Sequence, residues 1–208
     1  MTRLRVSIAS TLSVALVLLV ATACFSHPKT VEDGAQDLGP SSTLGLDIKQ
    51  VTQDHNRYLG NRVLTLTVEM QQAFSNQDLA QPSCDAFAIS FHIDTDKDDL
   101  FDRVIAVDVQ PDSSDEGMSP LAFVVRKPPE PSHLWEATGR LLGFAQVWRP
   151  TEASLSVRLP VTMLGKEAPR SFGWAARAAS GDPNDASACG YDYAPDEGTT
   201  SGHSAQDD

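Results

Sequence analysis

Apolar and polar residues alternate along most of the chain after residue 45, with the period of two that is typical of half-buried β-strands. The alternation is clearest over residues 64–70, 87–93, 105–109, 155–159 and 172–178, and weaker over residues 47–52, 121–126 and 141–149. No window longer than about ten residues carries a helical stripe. Residues 161–164 are long enough for a single helical turn. The pattern therefore predicts about eight short strands.

Turn-forming residues separate these segments, and the chain contains 13 Gly and 13 Pro. Short strands divided by frequent turns are typical of all-β domains in which two antiparallel layers enclose one core. We therefore expect a two-layer antiparallel β-sandwich with a jelly-roll-like strand order over residues 45–195. At 208 residues the chain is long enough for one such domain and too short for two large ones.

The N-terminal segment has the form of a secretory signal over residues 1–23. Arg3 and Arg5 precede a stretch without charge that ends in small residues. The following Val20-Ala-Thr-Ala-Cys24 resembles a bacterial lipobox, which predicts acylation of Cys24 and a flexible tether over residues 24–44. A secreted protein with an incidental Cys24, or an uncleaved single-span anchor, are the alternatives. Each places the domain outside the cytoplasm.

The charge of the chain is strongly negative. Sixteen basic residues against 28 acidic ones give a net charge of -12, which excludes a nucleic-acid role because such binding needs a basic surface. Seven of the acids follow the last basic residue, Arg177, and residues 196–208 are predicted to be a disordered acidic tail. The nucleophile elbow, the phosphate-binding loop, the His-Glu-x-x-His pair and the Cys-x-x-Cys pair are all absent from the sequence.

Three cysteines leave one pair if Cys24 carries lipid. Cys84 and Cys189 would then form a disulfide, which an oxidising compartment favours. Such a bond would close a loop of about 105 residues and stabilise the fold by roughly 4–5 kcal/mol on chain-entropy arguments. A catalytic thiol is disfavoured because neither cysteine has a recognisable catalytic neighbour.

An acidic loop separates the strands at residues 87–93 and 105–109. Asp94, Asp96, Asp98 and Asp102 occupy positions 1, 3, 5 and 9 of this loop, and Leu100 would offer its carbonyl at position 7. Hard oxygen ligands at this spacing predict a Ca²⁺ site. An EF-hand is excluded, since position 6 is Asp99 in place of Gly and a strand follows. The alternative is a solvated turn, because Asp is favoured in turns without any ion.

Four segments resemble the DOMON and family 9 carbohydrate-binding sandwiches of exported bacterial proteins. They are Leu46-Asp-Ile-Lys-Gln-Val51, Phe91-His-Ile-Asp-Thr-Asp96, Ser156-Val-Arg-Leu-Pro-Val-Thr-Met-Leu-Gly165 and Asp192-Tyr-Ala-Pro-Asp-Glu-Gly198. The resemblance spans residues 46–198. It implies a non-catalytic binding or accessory module of the cell envelope, with a carbohydrate or an envelope protein as its partner.

Aromatic side chains are the candidates for contact with such a ligand. Tyr191 and Tyr193 lie next to Cys189, and Trp148 ends a weak strand, whereas Trp174 alternates in phase with core residues. His92 is expected to be an exposed histidine on the polar face of its strand. Two other functions remain open: a small secreted hydrolase or hydrolase subunit whose acidic loop is catalytic, and an envelope structural or assembly lipoprotein. The oligomeric state is not predicted.

Overall fold

The computed structural model describes residues 28–33, 46–80, 88–98, 100–111, 118–127, 139–165, 171–182, 185–195 and 200–203. These residues form eleven strands and one short helix. The strands are β1 (Lys29–Glu32), β2 (Ile48–Tyr58), β3 (Asn61–Met70), β4 (Ile89–Asp94), β5 (Arg103–Pro111), β6 (Met118–Arg126), β7 (Arg140–Trp148), β8 (Ser154–Pro160), β9 (Ser171–Asp182), β10 (Asp185–Ala194) and β11 (Thr200–His203). The helix is α1 (Asn76–Leu79), and a 3-10 turn covers Val161–Met163.

The strands are antiparallel throughout and follow the order β1-β2-β3-β8-β7-β6-β5-β4-β9-β10, with β11 paired to β9. Strand β7 pairs with β6 over residues 140–145 and with β8 over residues 146–148. Strand β7 therefore joins the strands that follow β8 in this order, towards β1, to those that follow β6, towards β10. All of them form one continuous sheet that is nearly closed into a barrel. The all-β prediction is confirmed. The strands form one continuous sheet, whereas the sequence predicted two separate layers.

All eight predicted segments are strands, β2 to β9, and residues 161–163 form the expected single turn. The alternation of apolar and polar residues predicts these strands correctly because the apolar side chains of each strand point into one shared core. In β3, for example, four alternate residues are buried: Leu64, Leu66, Val68 and Met70. Trp174 is fully buried, as predicted. The core also takes apolar side chains from β2, β4, β5, β8 and β9.

One buried carboxylate, that of Asp192, links the last long strand, β10, to β2 near the other end of the sheet order. Asp192 of β10 is 2% exposed, and its Oδ2 accepts a hydrogen bond from the backbone N–H of Ile48 at the start of β2. Its Oδ1 accepts from the N–H of Tyr193 at 2.8 Å. This carboxylate therefore links two strands that lie near opposite ends of the sheet order.

The β2–β3 hairpin turns through two residues with positive φ, Leu59 at 50° and Gly60 at 82°. Positive φ at both central positions is the geometry of a type I′ turn, which matches the twist of paired strands. Gly60 adopts it without a Cβ penalty. The hairpin brings Tyr58 and Asn61 into register beyond the end of the core.

Two strands lie in segments predicted to lack structure. Lys29–Glu32, within the predicted tether, pairs with β2, and Thr200–His203, within the predicted tail, pairs with β9. The predicted signal segment, Cys24, Cys84 and the side chain of Cys189 lie outside the described residues, so the lipid and disulfide predictions stay predictions. No helix among the described residues is long and apolar enough to span a membrane.

Candidate metal centre

The acidic loop begins where β4 ends and returns to the sheet at β5. Asp94 is the last residue of β4 and is 2% exposed, and Asp102 immediately precedes β5. The N–H of Asp102 donates to the carbonyl of Ile93 at 2.9 Å, and its own carbonyl accepts from the N–H of Lys127 at 2.9 Å. Backbone bonds at both sides therefore fix the ends of the loop, which we call the Asp loop (residues 94–102).

Backbone donors hold two of the carboxylates in place. Asp94 Oδ1 accepts from the N–H of Lys97 at 2.6 Å, and Asp102 Oδ2 accepts from the N–H of Thr95 at 2.7 Å and from the Thr95 hydroxyl. Lys97 adopts a φ of 63°, which turns the chain back over Asp94. An ionised carboxylate has about four lone-pair sites, so these bonds leave capacity for a cation.

Three carboxylates converge in the Asp loop. One oxygen from each of Asp94, Asp96 and Asp102 lies within 4.8 Å of the other two, with Asp94 buried, Asp102 half-buried and Asp96 exposed. Asp98 does not join them. Its Oδ1 accepts from the N–H of Leu100 at 2.9 Å, which stabilises the outer turn of the loop. The structure thus brings together three of the four predicted aspartates.

Mutual repulsion among these carboxylates changes the acidity of Asp96. The carboxylate of Asp102 is the largest cause that raises the pKa of Asp96, followed by burial and by the charges of Asp98 and Asp94. A raised pKa means that bringing these negative charges together costs free energy. A bound cation would remove that cost.

A buried polar group lies directly behind the Asp loop. His92 is fully buried, its Nε2 is 2.8 Å from the Ser90 hydroxyl, and its ring centroid is 5.2 Å from that of Phe101 in the loop. Burial, and then the charges of Arg177 and Lys127, hold the pKa of His92 well below its ordinary value. The prediction of an exposed His92 is wrong, because the face of β4 that carries it is also covered.

The predicted aromatic residues lie in two separate places. Tyr191 and Tyr193 are on the same face of β10; Tyr191 is 38% exposed, and its ring centroid is 5.0 Å from the guanidinium carbon of Arg177. Trp148 is half-buried at the end of β7, and four strands separate β7 from β10 in the sheet order. Trp148 contacts Arg158, whose guanidinium carbon is 4.7 Å from its ring centroid.

Sequence patterns did not reveal the residues around Trp148. Arg158 contacts both Trp148 and Tyr58, and Phe144 lines a cleft with Tyr58 and Arg158. These residues come from three different strands, β2, β7 and β8. Arg158 occupies a polar position in the alternating pattern of β8. Nothing in the sequence, however, indicates that Tyr58, a hundred residues earlier, packs on it. Such pairings depend on strand order.

Comparison of the chain with protein-family models, with curated proteins and with solved structures finds no match.

Proposed function

We propose that this chain is a non-catalytic binding module of the cell envelope whose Asp loop takes up a structural calcium ion. The calcium site is supported by one observation: carboxylate oxygens of Asp94, Asp96 and Asp102 lie within 4.8 Å of one another. The loop that holds them connects two neighbouring strands of the sheet, β4 and β5. The ion would rigidify the loop and the hairpin that carries it. The binding role itself follows the resemblance in sequence to exported carbohydrate-binding sandwiches.

Calcium is the cation that best suits this donor set. All three side chains offer oxygen, which favours hard cations over Zn²⁺ or copper. The oxygens come from one short irregular loop, and Ca²⁺ tolerates irregular geometry with six to eight ligands, whereas Mg²⁺ requires a near-ideal octahedron. Carbonyl groups and water would complete the shell, and Leu100 is the predicted carbonyl donor.

The envelope location rests on the predicted signal segment and on Cys24. Palmitate labelling of cells that express the wild type or Cys24→Ser tests the anchor. Label that persists in the variant would contradict the assignment of Cys24.

Thermal unfolding of the full chain in excess EDTA and in millimolar Ca²⁺ tests the ion. A ligand at a hundred times its dissociation constant adds about 2.7 kcal/mol to the free energy of unfolding, which raises the melting temperature by roughly 5–10 °C for a domain of this size. We expect this shift for the wild type. Equal melting temperatures in the two conditions would show that the Asp loop is a solvated turn.

Asp96→Asn and Asp98→Asn form a matched pair of variants, because each removes one charge from the same loop. Asp96→Asn should lose most of the calcium shift, and in EDTA it should melt at or above the wild type, since the repulsion around Asp96 is relieved. Asp98→Asn should keep the shift, because Asp98 lies outside the cluster. A shift lost equally in both variants would argue against the three-carboxylate site.

A further inference from the structure

The outer face of β7 and β8, together with the β2–β3 hairpin, carries a group of aromatic and apolar side chains around one arginine. We call it the Arg158 face and define it by Tyr58, Leu59, Phe144, Trp148 and Arg158. The exposed fractions are 45% for Tyr58, 84% for Leu59 and 59% for Phe144. Three large apolar side chains exposed side by side mark an interaction surface more often than isolated ones do.

Arg158 contacts aromatic rings where an acidic partner would be expected. Its guanidinium carbon lies 4.6 Å from the ring centroid of Tyr58 and 4.7 Å from that of Trp148. Within the part of the chain that the structure describes, Arg158 forms no salt bridge, and its buried Nε has no hydrogen-bond acceptor. The guanidinium that the two rings contact is planar by resonance, and this planar group can pair with a carboxylate through two parallel hydrogen bonds.

Two adjoining clefts open on either side of the hairpin tip. The cleft beside Arg158 has a volume of about 200 Å³ and is lined by Tyr58, Phe144 and Gln146 among others. The second, of about 290 Å³, shares Asn61 and Pro160 with the first. No acidic residue is among the described residues that line either cleft.

The second cleft contains two more arginines. Arg57 and Arg62 line it, and they stand directly opposite each other in the β2–β3 register. Each guanidinium carries five N–H donors, so it can bind an anion in the cleft while it keeps a contact within the protein. Three arginines thus surround the hairpin of a protein whose net charge is -12.

We propose that the Arg158 face binds an acidic polysaccharide, with the carboxylate of one uronic acid unit on Arg158 and a neighbouring unit in the Arg57–Arg62 cleft. Aromatic rings supply flat apolar surface for a sugar ring, while Gln146 and Asn61 supply polar groups beside it. Each cleft is smaller than the roughly 300–1000 Å³ of a pocket that encloses a whole ligand. Each cleft therefore suits one unit of a polymer that passes over the tip of the β2–β3 hairpin.

The position of the face in the sheet disfavours an acidic peptide. Peptides commonly bind sheets by adding a strand to an open edge. Strand β8 already pairs with β3 and β7, so it offers no free edge beside Arg158. The proposal names the ligand class of the binding role proposed above and so rests on that role, but it does not depend on calcium, because the Asp loop lies between β4 and β5.

Affinity electrophoresis of the full chain through gels containing polygalacturonate or neutral dextran tests the proposal. The gels contain EDTA, because the acidic polymer itself binds calcium. We expect polygalacturonate to retard the wild type and dextran to leave its mobility unchanged. Retardation of the wild type supports the polysaccharide site, whatever the melting temperatures in EDTA and Ca²⁺ show. Equal mobility of the wild type in both polymers overturns the polysaccharide site and does not affect the calcium proposal.

Arg158→Gln should weaken polygalacturonate binding by about 10- to 100-fold, the loss typical for a charged hydrogen-bonding group. Arg140→Gln is the control, since Arg140 is exposed at the opposite end of β7 and its loss changes the net charge equally. We expect it to bind within about twofold of the wild type. Equal weakening by both variants would show a general charge effect and overturn the site.

Two further comparisons keep the result interpretable. Arg158→Lys keeps the charge but lacks the planar fork, so its affinity should fall between those of the wild type and Arg158→Gln. Melting temperatures of all variants show whether each one folds. Poly-L-glutamate serves as the peptide competitor: if it displaced polygalacturonate at equal carboxylate concentration, the saccharide assignment would be overturned in favour of an acidic peptide.

Discussion

Leu59 shows how a single residue can work against the local preference of the backbone. It is 84% exposed and adopts a φ of 50°, in the left-handed region that Asn and Gly occupy readily and Leu does not. Its side chain therefore gains little from burial in this protein, while its backbone is strained. Its place beside the cleft of Arg158 gives a reason for a leucine there, since it enlarges the exposed apolar surface.

Replacing Leu59 by Asn should stabilise the protein. Asn-Gly is the preferred pair for a type I′ turn, so Leu59→Asn should raise the free energy of unfolding by about 1 kcal/mol, or the melting temperature by roughly 2–4 °C. Leu59→Ala removes the same apolar side chain without this preference and should gain less. Destabilisation by Leu59→Asn would show that the leucine packs on its neighbours and that the strain is outweighed.

At the scale of the element, β4 has two buried faces where alternation predicts one. Ile89, Phe91 and Ile93 point into the core, and the intervening Ser90 and His92 are also buried, at 2% and 0% exposure. The strand lies between β5 and β9, and on its second face Phe101 of the Asp loop packs against His92. Histidine in such a place is neutral, since burial and the nearby Arg177 and Lys127 disfavour its charged form.

This burial predicts a dependence of stability on pH. Because the pKa of His92 is lower in the folded state, the unfolded chain binds more protons below the ordinary value of 6.5. The stability that a neutral His92 provides is therefore complete above about pH 6.5 and is lost as the pH falls towards the folded pKa, by up to about 1.4 kcal/mol per pH unit. Urea unfolding in EDTA between pH 7 and 5 measures this slope.

Two variants separate the effect of protonating His92 on stability from the effect of its hydrogen bond and packing. His92→Gln cannot take up a proton but can still bond the Ser90 hydroxyl, so its stability should change less with pH than that of the wild type. Ser90→Ala removes the hydrogen bond and keeps the titrating ring, so it should be less stable at pH 7 with the slope retained. A slope that is unchanged in His92→Gln would assign the pH dependence to other groups.

For the whole molecule, the decisive feature is the closure of the sheet. Strand β10 ends the sheet order and β2 lies near its start, and the buried carboxylate of Asp192 joins them through the N–H of Ile48. A buried N–H without an acceptor costs free energy comparable to a lost hydrogen bond. Asp192 therefore stabilises the contact between β10 and β2 through a residue that lies 144 positions earlier in the chain.

Asp192→Ala should lower the free energy of unfolding by about 2 kcal/mol, since it leaves the N–H of Ile48 without its acceptor. The melting temperature should fall by roughly 4–8 °C. Asp54→Ala removes the same charge from the outer face of β2, where the carboxylate accepts from the Asn56 amide at 3.4 Å, and should change stability by less than about 0.5 kcal/mol. Similar losses in both variants would show that closure does not depend on Asp192.

The candidate site was predictable in part. Asp94, Asp96 and Asp102 could be selected from their spacing, because a loop between two adjacent strands is local in sequence and its length fixes which side chains can meet. Asp98 fits the same spacing, but its carboxylate bonds the N–H of Leu100 two residues later. Whether the carboxylate of Asp98 bonds this N–H or joins the other three depends on backbone angles, such as the positive φ of Lys97, and spacing does not encode these angles.

The sequence by itself determined the strands β2 to β9, the single turn after β8 and the acidic loop, because alternation and turn chemistry act over a few residues. Only the tertiary structure decided that β7 joins both groups of strands into one sheet, that His92 is buried, and that Tyr58 and Trp148 meet on Arg158. Strand order sets these contacts. Because it brings together residues about ten to a hundred positions apart, no local pattern in the chain records it.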